Sequence, residues 1–562
     1  MSGPPISFAS NRQLFNDKKA GGARSRGAAG TVCDGAGFMP EIEALDFSEG
    51  WRSQESGQTR EQLEHRALPG YLSRQRWFAS KGTEIERAEL QSWFVLEGRN
   101  GNWLMATIQV RLTGGFSEDY FVPLAALWDS PSLAPASSDS ADVVACIRTG
   151  AQSGTLRDAL SDAGFIADLV RAMGDEATLA SARGNLRFRH SGAWIPLQKG
   201  DEQNIRKLGA EQSNSSILIA KKMVLKAYRK LERGIQPELE MARYLTDVAH
   251  YHNTPPLLGS IEQFDSEKQP TVLVMMQGFV PNQGDGWAFT LAYLKALFGA
   301  TLRGGAAEGG SGAYAALARR LGVRVAELHQ AFAIESGDAA FQPEPITAAD
   351  VNGWKRQIHA EAETTFGLLA NAESMLPPEQ HARVRALLGQ RERILNLISG
   401  FELAPGSTLM KTRFHGDLHL GQVLVADEDF YIIDFEGEPA RPFAQRRAKH
   451  SPLRDVAGML RSFNYAAWSA LFEAGAGDPE KIKTLEEHAR DWEHKASSAF
   501  IRGYQETIKG CASCPSGPEG FARWLGLFIL EKALYEVRYE LANRPTWLRI
   551  PVEGIMSLLA HV

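Results

Sequence analysis

Cysteine is scarce: Cys33, Cys146, Cys511 and Cys514 are all that 562 residues contain. That excludes a disulfide-stapled scaffold and fits a reducing compartment. Cys511 and Cys514 have CxxC spacing, but Pro515-Ser516-Gly517-Pro518 follows and there is no second pair, so the segment reads as a loop without a metal or redox role. No uninterrupted apolar run approaches the roughly 18 residues of a membrane span. The stretch from Met1 to Gly22 lacks the apolar core of a signal peptide, and the expectation is a cytoplasmic protein. Positive charge is not in excess either. The net charge is -6 and the basic clusters Lys18-Lys19 and Arg441 to Lys449 are short, which speaks against a nucleic-acid binder and offers no membrane partner. Neither GxGxxG nor Walker A occurs, and the glycines from Gly304 to Gly312 lack the strand-turn-helix context of a phosphate loop.

What is present is concentrated between Arg413 and Glu438, RFHGDLHLGQVLVADEDFYIIDFEGE. An amide, Gln422, falls five residues after Asp417, the spacing of a kinase catalytic loop. There an Asp accepts the proton of the attacking hydroxyl and an amide oxygen holds magnesium; here the amide is Gln where that loop has Asn. Two apolar runs, Val423-Leu424-Val425 and Phe430-Tyr431-Ile432-Ile433, flank the acidic turn Asp427-Glu428-Asp429 and predict a β-hairpin. A hairpin joins its ends, so Gln422 and Asp434 can reach one Mg2+ ion, with Asp417 beside them. His415 and His419 suggest zinc by their i, i+4 spacing, but the Glu of HExxH is missing.

A nucleotide-binding half precedes this centre. The polar turn Leu208 to Ile217, with Ser213, Ser215 and Ser216, can donate hydrogen bonds to phosphate oxygens. Lys226 follows on an apolar strand. Taken alone it reads as an exposed strand lysine; between such a turn and a Glu-bearing helix it reads as the lysine that pairs with ATP phosphates. Of Glu238 and Glu240, the reading assigns Glu240 to orient it. Thr271 to Met276 is the last strand of this half, and Gln277 to Val280 the hinge under the adenine.

The composition, 44% hydrophobic and 23% charged, suits a soluble chain of several lobes. Residues 1–60 read as a flexible tail, 61–200 as an N-terminal cap region with an antiparallel meander and a helix over Leu156 to Met173, 201–280 as the nucleotide-binding lobe, and 281–562 as a mainly helical catalytic lobe. Helical periods cover Thr290 to Leu297, Tyr314 to His329, Val351 to Leu369, Gln380 to Ile398 and Trp524 to Leu541. On the last, Glu531, Tyr535 and Tyr539 share one face, a set that either grips sugar hydroxyls or packs its tyrosines.

The motifs His415 to Gln422, Asp434 to Pro442, Ser451 to Phe463, Glu531 to Glu536, Asn543-Arg544-Pro545, Leu72 to Lys81, Gly209 to Ser216 and Asn282 to Trp287 resemble those of the bacterial maltokinases. The resemblance spans about residues 61–562 and implies an α+β, bilobal, protein-kinase-like (aminoglycoside-phosphotransferase-like) fold with an extra N-terminal cap. It implies ATP-dependent phosphorylation of maltose at the anomeric hydroxyl to give maltose 1-phosphate for α-glucan synthesis. Asp417 is then the base, Gln422 and Asp434 hold Mg2+, Lys226 and Glu240 form the phosphate-orienting pair, and Glu531, Tyr535, Tyr539 and Arg441 line the sugar site. Some members are fused behind a trehalose synthase domain, so association with trehalose synthase is a further expectation. The rivals are a kinase of glucosamine or another small sugar, and a nucleotide-binding regulator without turnover. A resistance enzyme for polycationic aminoglycosides is disfavoured, because the acceptor region lacks an evident acidic cluster.

Overall fold

The computed structural model describes residues 44–51, 57–129, 141–181, 183–209, 213–305, 310–438 and 441–560. Most of the expected tail, residues 1–43, and the Pro/Ser loop 130–140 lie outside the described residues. Order begins earlier than Arg60: Leu45–Asp46 pairs in parallel with Val143–Thr149, and Leu45 and Phe47 are buried. Two apolar side chains flanking a backbone ladder suffice to hold this short segment.

The first sheet has eight strands. Its long hairpin, Ile85–Glu97 with Asn102–Leu112, arises from inward-facing residues at alternate positions. Leu90, Leu104 and Ile108 pack on Leu63, Leu68, Tyr71 and Leu72. Phe94, Trp103 and Met105 join Phe165, Leu169 and Met173 of the helix Ala163–Gly174. That helix is shorter than expected. Gln152–Asp158 is a strand, and Asp162 caps the helix by accepting from the amides of Gly164 (2.7 Å) and Phe165 (3.3 Å).

The second, seven-stranded sheet is antiparallel throughout and runs Ile205–Lys207, Asn214–Ile219, Met223–Tyr228, Pro270–Gly278, Leu257–Phe264, Gly184–His190, Thr178–Ser181. The last two strands were expected in the cap. They belong here because Leu186 and Phe188 are buried with Ile217, Leu225 and Leu273. A two-residue strand, Lys230–Leu231, follows the Lys226 strand immediately and pairs with Asp119 and Tyr120 of the first sheet.

The C-terminal lobe is helical and shares one apolar core. The expected helix Gln380 to Ile398 is two, Pro378–Leu388 and Arg391–Ser399, interrupted at Gly389-Gln390. The predicted hairpin forms with register Val423↔Ile432 to Ala426↔Asp429. Its turn residues Asp427 and Glu428 take φ of 47° and 61°, the mirror-image conformation that matches strand twist. Val423, Val425, Phe430 and Ile432 anchor it in the core. No helix of the described residues is long and apolar enough to cross a membrane.

Candidate active site

The site lies where the helical lobe meets the second sheet. Lys226 Nζ is 2.7 Å from Glu238 Oε2, 2.8 Å from Glu436 Oε1 and 3.6 Å from Asp434 Oδ1. The lysine's partner is therefore Glu238, not Glu240. Tyr228 also donates to Glu238, at 2.6 Å. Burial, with Glu436 and Asp434 alongside, pushes the Glu238 carboxyl up to about 8 against the pull of Lys226. Glu240 instead accepts from Arg413 (2.8 Å) and Arg447 (2.6 and 2.9 Å). Burial opposes its charge, but these guanidiniums hold its carboxyl below the usual range.

Of the serines, Ser216 stands opposite Lys226 in the strand register and its carbonyl accepts from Leu208 N. Ser215 Oγ accepts from Arg229 Nε at 2.8 Å, and Ser213 is exposed. Ala210 to Gln212 lie outside the described residues. At the hinge, Gln277 pairs with Val224 and Leu257, and the Val280 carbonyl accepts from Asn282 Nδ2 at 2.8 Å.

The loop from His415 to Gln422 is held by buried groups. The Asp455 carboxylate accepts from His415 N (2.7 Å), Gly416 N (2.9 Å) and His329 Nε2 (3.1 Å); His329 Nδ1 is 2.9 Å from Tyr504 Oη. His415 Nε2 donates to the Ile433 carbonyl (2.9 Å), which leaves Nδ1 to accept from Asp417 N (3.3 Å). Gly416 has φ of 88°, a conformation that favours glycine, where the loop passes Gly437 of the post-hairpin segment. Asp417 faces Lys532 Nζ at 3.5 Å and His419 Nε2 at 3.9 Å. At the hairpin's open end Gln422 Nε2 donates to Asp434 Oδ2 at 2.8 Å, and Asp434 takes φ of 65°.

Glu238, Asp434 and Glu436 bring oxygens within 4.8 Å of one another. Even with Glu238 protonated, Asp434 and Glu436 outnumber the one lysine beside them, and hard oxygen donors suit Mg2+. The Gln422 amide offers its oxygen once rotated, so the residues present fit the ion.

Beside Asp417 opens a cavity of about 280 Å³. Glu531, Tyr535 and Arg441 line it, as does Asp417 itself; Tyr539 does not. Two turns past Glu531, its ring lies 5.4 Å from the Arg544 guanidinium and its carbonyl accepts from Asn543. Arg454 meets Glu531 at 2.7 Å, Arg441 meets Glu438 at 2.5 Å and Arg538 meets Glu361 at 3.3 Å. Burial raises Glu531 despite Arg454 and pushes the Tyr535 phenol up to about 12. Sequence reasoning missed Glu436, Glu438, Arg454, Arg538, Glu361 and Lys532. Glu436, Glu438, Arg454 and Lys532 had a visible signal, since each falls inside a motif already singled out, whereas Glu361 and Arg538 had none.

Residues 71–162 match the family described as the maltokinase N-terminal cap domain. A glucosamine kinase of Streptacidiphilus jiangxiensis is 25% identical over 353 residues, 62% of this chain and 72% of that protein. One of Mycolicibacterium smegmatis is 26% identical over 365 residues, 63% and 79% of the two chains. A solved glucosamine kinase, in complex with glucosamine, ADP and inorganic phosphate, superposes with a TM-score of 0.59, 21% identity and coverage of 87% of this chain and 97% of its own, a likeness of fold. The chain therefore shares its fold with a solved kinase, and its residues 71–162 match the maltokinase N-terminal cap domain.

Proposed function

We propose that the protein is an ATP-dependent sugar kinase that phosphorylates maltose at its anomeric hydroxyl, releasing maltose 1-phosphate and ADP. In this reading Asp417 accepts the proton of the acceptor hydroxyl, and Lys226, steadied by Glu238, holds nucleotide phosphates. Gln422 and Asp434 would hold Mg2+, with Glu436 adjacent; the ion supplies neutralisation of phosphate charge. Gln277 and Val280 edge the adenine site, Ser213 to Ser216 the phosphates, and Glu531, Tyr535 and Arg441 the sugar. The maltokinase-type cap supports the pathway reading, in which the product feeds α-glucan synthesis and trehalose synthase is a partner.

One observation carries the preference for a neutral sugar. Of the five carboxylates that line the cavity, four are matched by a cation, Glu531 by Arg454, Glu438 by Arg441, Glu361 by Arg538 and Asp417 by Lys532, and the fifth, Asp455, is taken up by the His415 and Gly416 amides and His329. A cavity so balanced offers an ammonium group no spare carboxylate, whereas hydroxyls can bridge paired charges at little desolvation cost. The glucosamine kinases among the relatives favour a second reading, an amino-sugar kinase.

ADP release with maltose, glucose and glucosamine, followed by phosphorus NMR of the product, separates the two. Maltose should give the highest kcat/KM, with phosphate on the anomeric carbon; a preference for glucosamine overturns the assignment. Asp417→Asn should cost about 10²–10⁴ in kcat while nucleotide binding, followed by titration calorimetry, persists.

A further inference from the structure

The cations around the cavity are not equivalent. Arg441, Arg454 and Arg538 each donate hydrogen bonds to a carboxylate. Lys532 makes no hydrogen bond among the described residues. Its nearest carboxylate oxygen is Asp417 Oδ1, at 3.5 Å, and its Nζ lies 5.1 Å from the centre of the Tyr535 ring. About a third of the side chain, 34%, is exposed, and it borders the cavity. An ammonium has three donors, so Lys532 has capacity left for a ligand. Burial works against its charge, but Asp417, Glu536 and Glu438 raise its pKa, and it is an ammonium at neutral pH.

Its position narrows what that ligand is. A general base sits about 2.6–3.2 Å from the hydroxyl it deprotonates, and the attacking oxygen lies about 3–3.5 Å from the phosphorus before reaction. A cation 3.5 Å from Asp417 that borders the same cavity is on the acceptor side of the incoming phosphoryl group, with a flexible four-carbon stem to close the remaining gap. Lys226 is engaged on the nucleotide side by Glu238 and Glu436.

We propose that Lys532 is a second catalytic lysine, one that hydrogen-bonds the oxygens of the phosphoryl group in flight from the acceptor side of the site. This rests on the kinase reading above. In the step, the acceptor oxygen bonds to the γ-phosphorus while the bridging P–O bond breaks and its electron pair leaves on ADP. The hydroxyl proton passes to Asp417. Lys532 donates hydrogen bonds throughout and exchanges no proton. Because Lys532 follows Glu531 on an α-helix, the two side chains diverge by about 100°: the glutamate meets Arg454 while the lysine meets the catalytic loop.

The test is steady-state kinetics of Lys532→Met, Lys532→Arg and Lys532→Cys with ATP and the best sugar of the panel. Removing the cation should lower kcat by about 100-fold or more, the scale for one oxyanion-stabilising donor, with KM for both substrates little changed and Arg retaining more activity than Met. Alkylating Lys532→Cys with 2-bromoethylamine rebuilds an ammonium at the same reach and should restore most of kcat, wild type treated alike serving as control. A Met variant with wild-type kcat, a loss confined to KM, or a folded Cys variant that alkylation fails to revive overturns the role. If wild type releases no ADP with any sugar, the kinase reading itself falls, and this role with it.

Discussion

Successive residues of an α-helix are turned by about 100°, so Glu238 and Glu240 leave the helix Pro237–Asp247 in nearly opposite directions. One faces Lys226, the other Arg413 and Arg447. Spacing identified a glutamate on this helix but not which one, because helix phase relative to a strand is set by packing. Their substitutions should therefore separate. Glu238→Gln should reduce kcat/KM for ATP at least tenfold with a small change in melting temperature. Glu240→Gln strands the buried Arg413, whose Nε and Nη2 have no hydrogen-bond partner among the described residues; breaking a buried pair costs about 3–5 kcal/mol, so the loss should appear first in the urea midpoint. His450 adds a pH signature. It stacks on Trp354 at 3.8 Å, and burial, reinforced by Arg454 and Arg441, depresses its pKa well below 6.5. As pH falls past 6.5 the unfolded chain binds a proton that the folded chain refuses, so stability contributed above that pH is lost, by up to about 1.4 kcal/mol per pH unit. Thermal unfolding between pH 7 and 5 should show a shallower decline in His450→Gln than in wild type.

Among the elements, the hairpin was the most legible, because alternation, an acidic turn and the residues at its mouth all specify one register. The second sheet was the least. Residues 185–198 read as short strands of the cap, but the sheet that Gly184–His190 joins depends on a partner some 75 residues away, Leu257–Phe264, which local pattern does not encode. Tyr539 failed for a related reason: a shared helix face of 26 residues is longer than the cavity it passes. The hairpin turn invites an element-scale test. Asp427 and Glu428 both occupy positive φ, where Asn-Gly is the favoured pair. Asp427→Asn with Glu428→Gly should raise the melting temperature by a few degrees and leave kcat unchanged; a fall would mean that the acidic pair supports the fold through its charge.

At the scale of the whole molecule, local patterning set two strand-rich regions apart from a helical C-terminal one, whereas the seam between the first two was not legible. Arg229, 1% exposed, meets Asp158 of the cap, and Asp158 also accepts from Tyr71 at 2.7 Å. Neither end of such a pair carries a local signature. Deleting residues 1–176 would uncover Arg229 and the apolar side chains Ile217, Leu225 and Leu273 that pack with Phe165 and Leu169, and the remaining chain should express mainly as aggregate in a solubility assay, whereas truncation before residue 44 should leave yield and melting temperature unaltered.

The two-residue strand Lys230–Leu231 has its own consequence. Four positions beyond Lys226, the backbone is already committed to the neighbouring sheet, so the ammonium beside Glu238, Asp434 and Glu436 is tethered on one side to a sheet that lends no residue to the cavity beside Asp417. Any graft of this catalytic machinery onto another scaffold must carry a surrogate for that foreign edge, or leave bare amide and carbonyl groups that recruit a second molecule by edge-to-edge pairing.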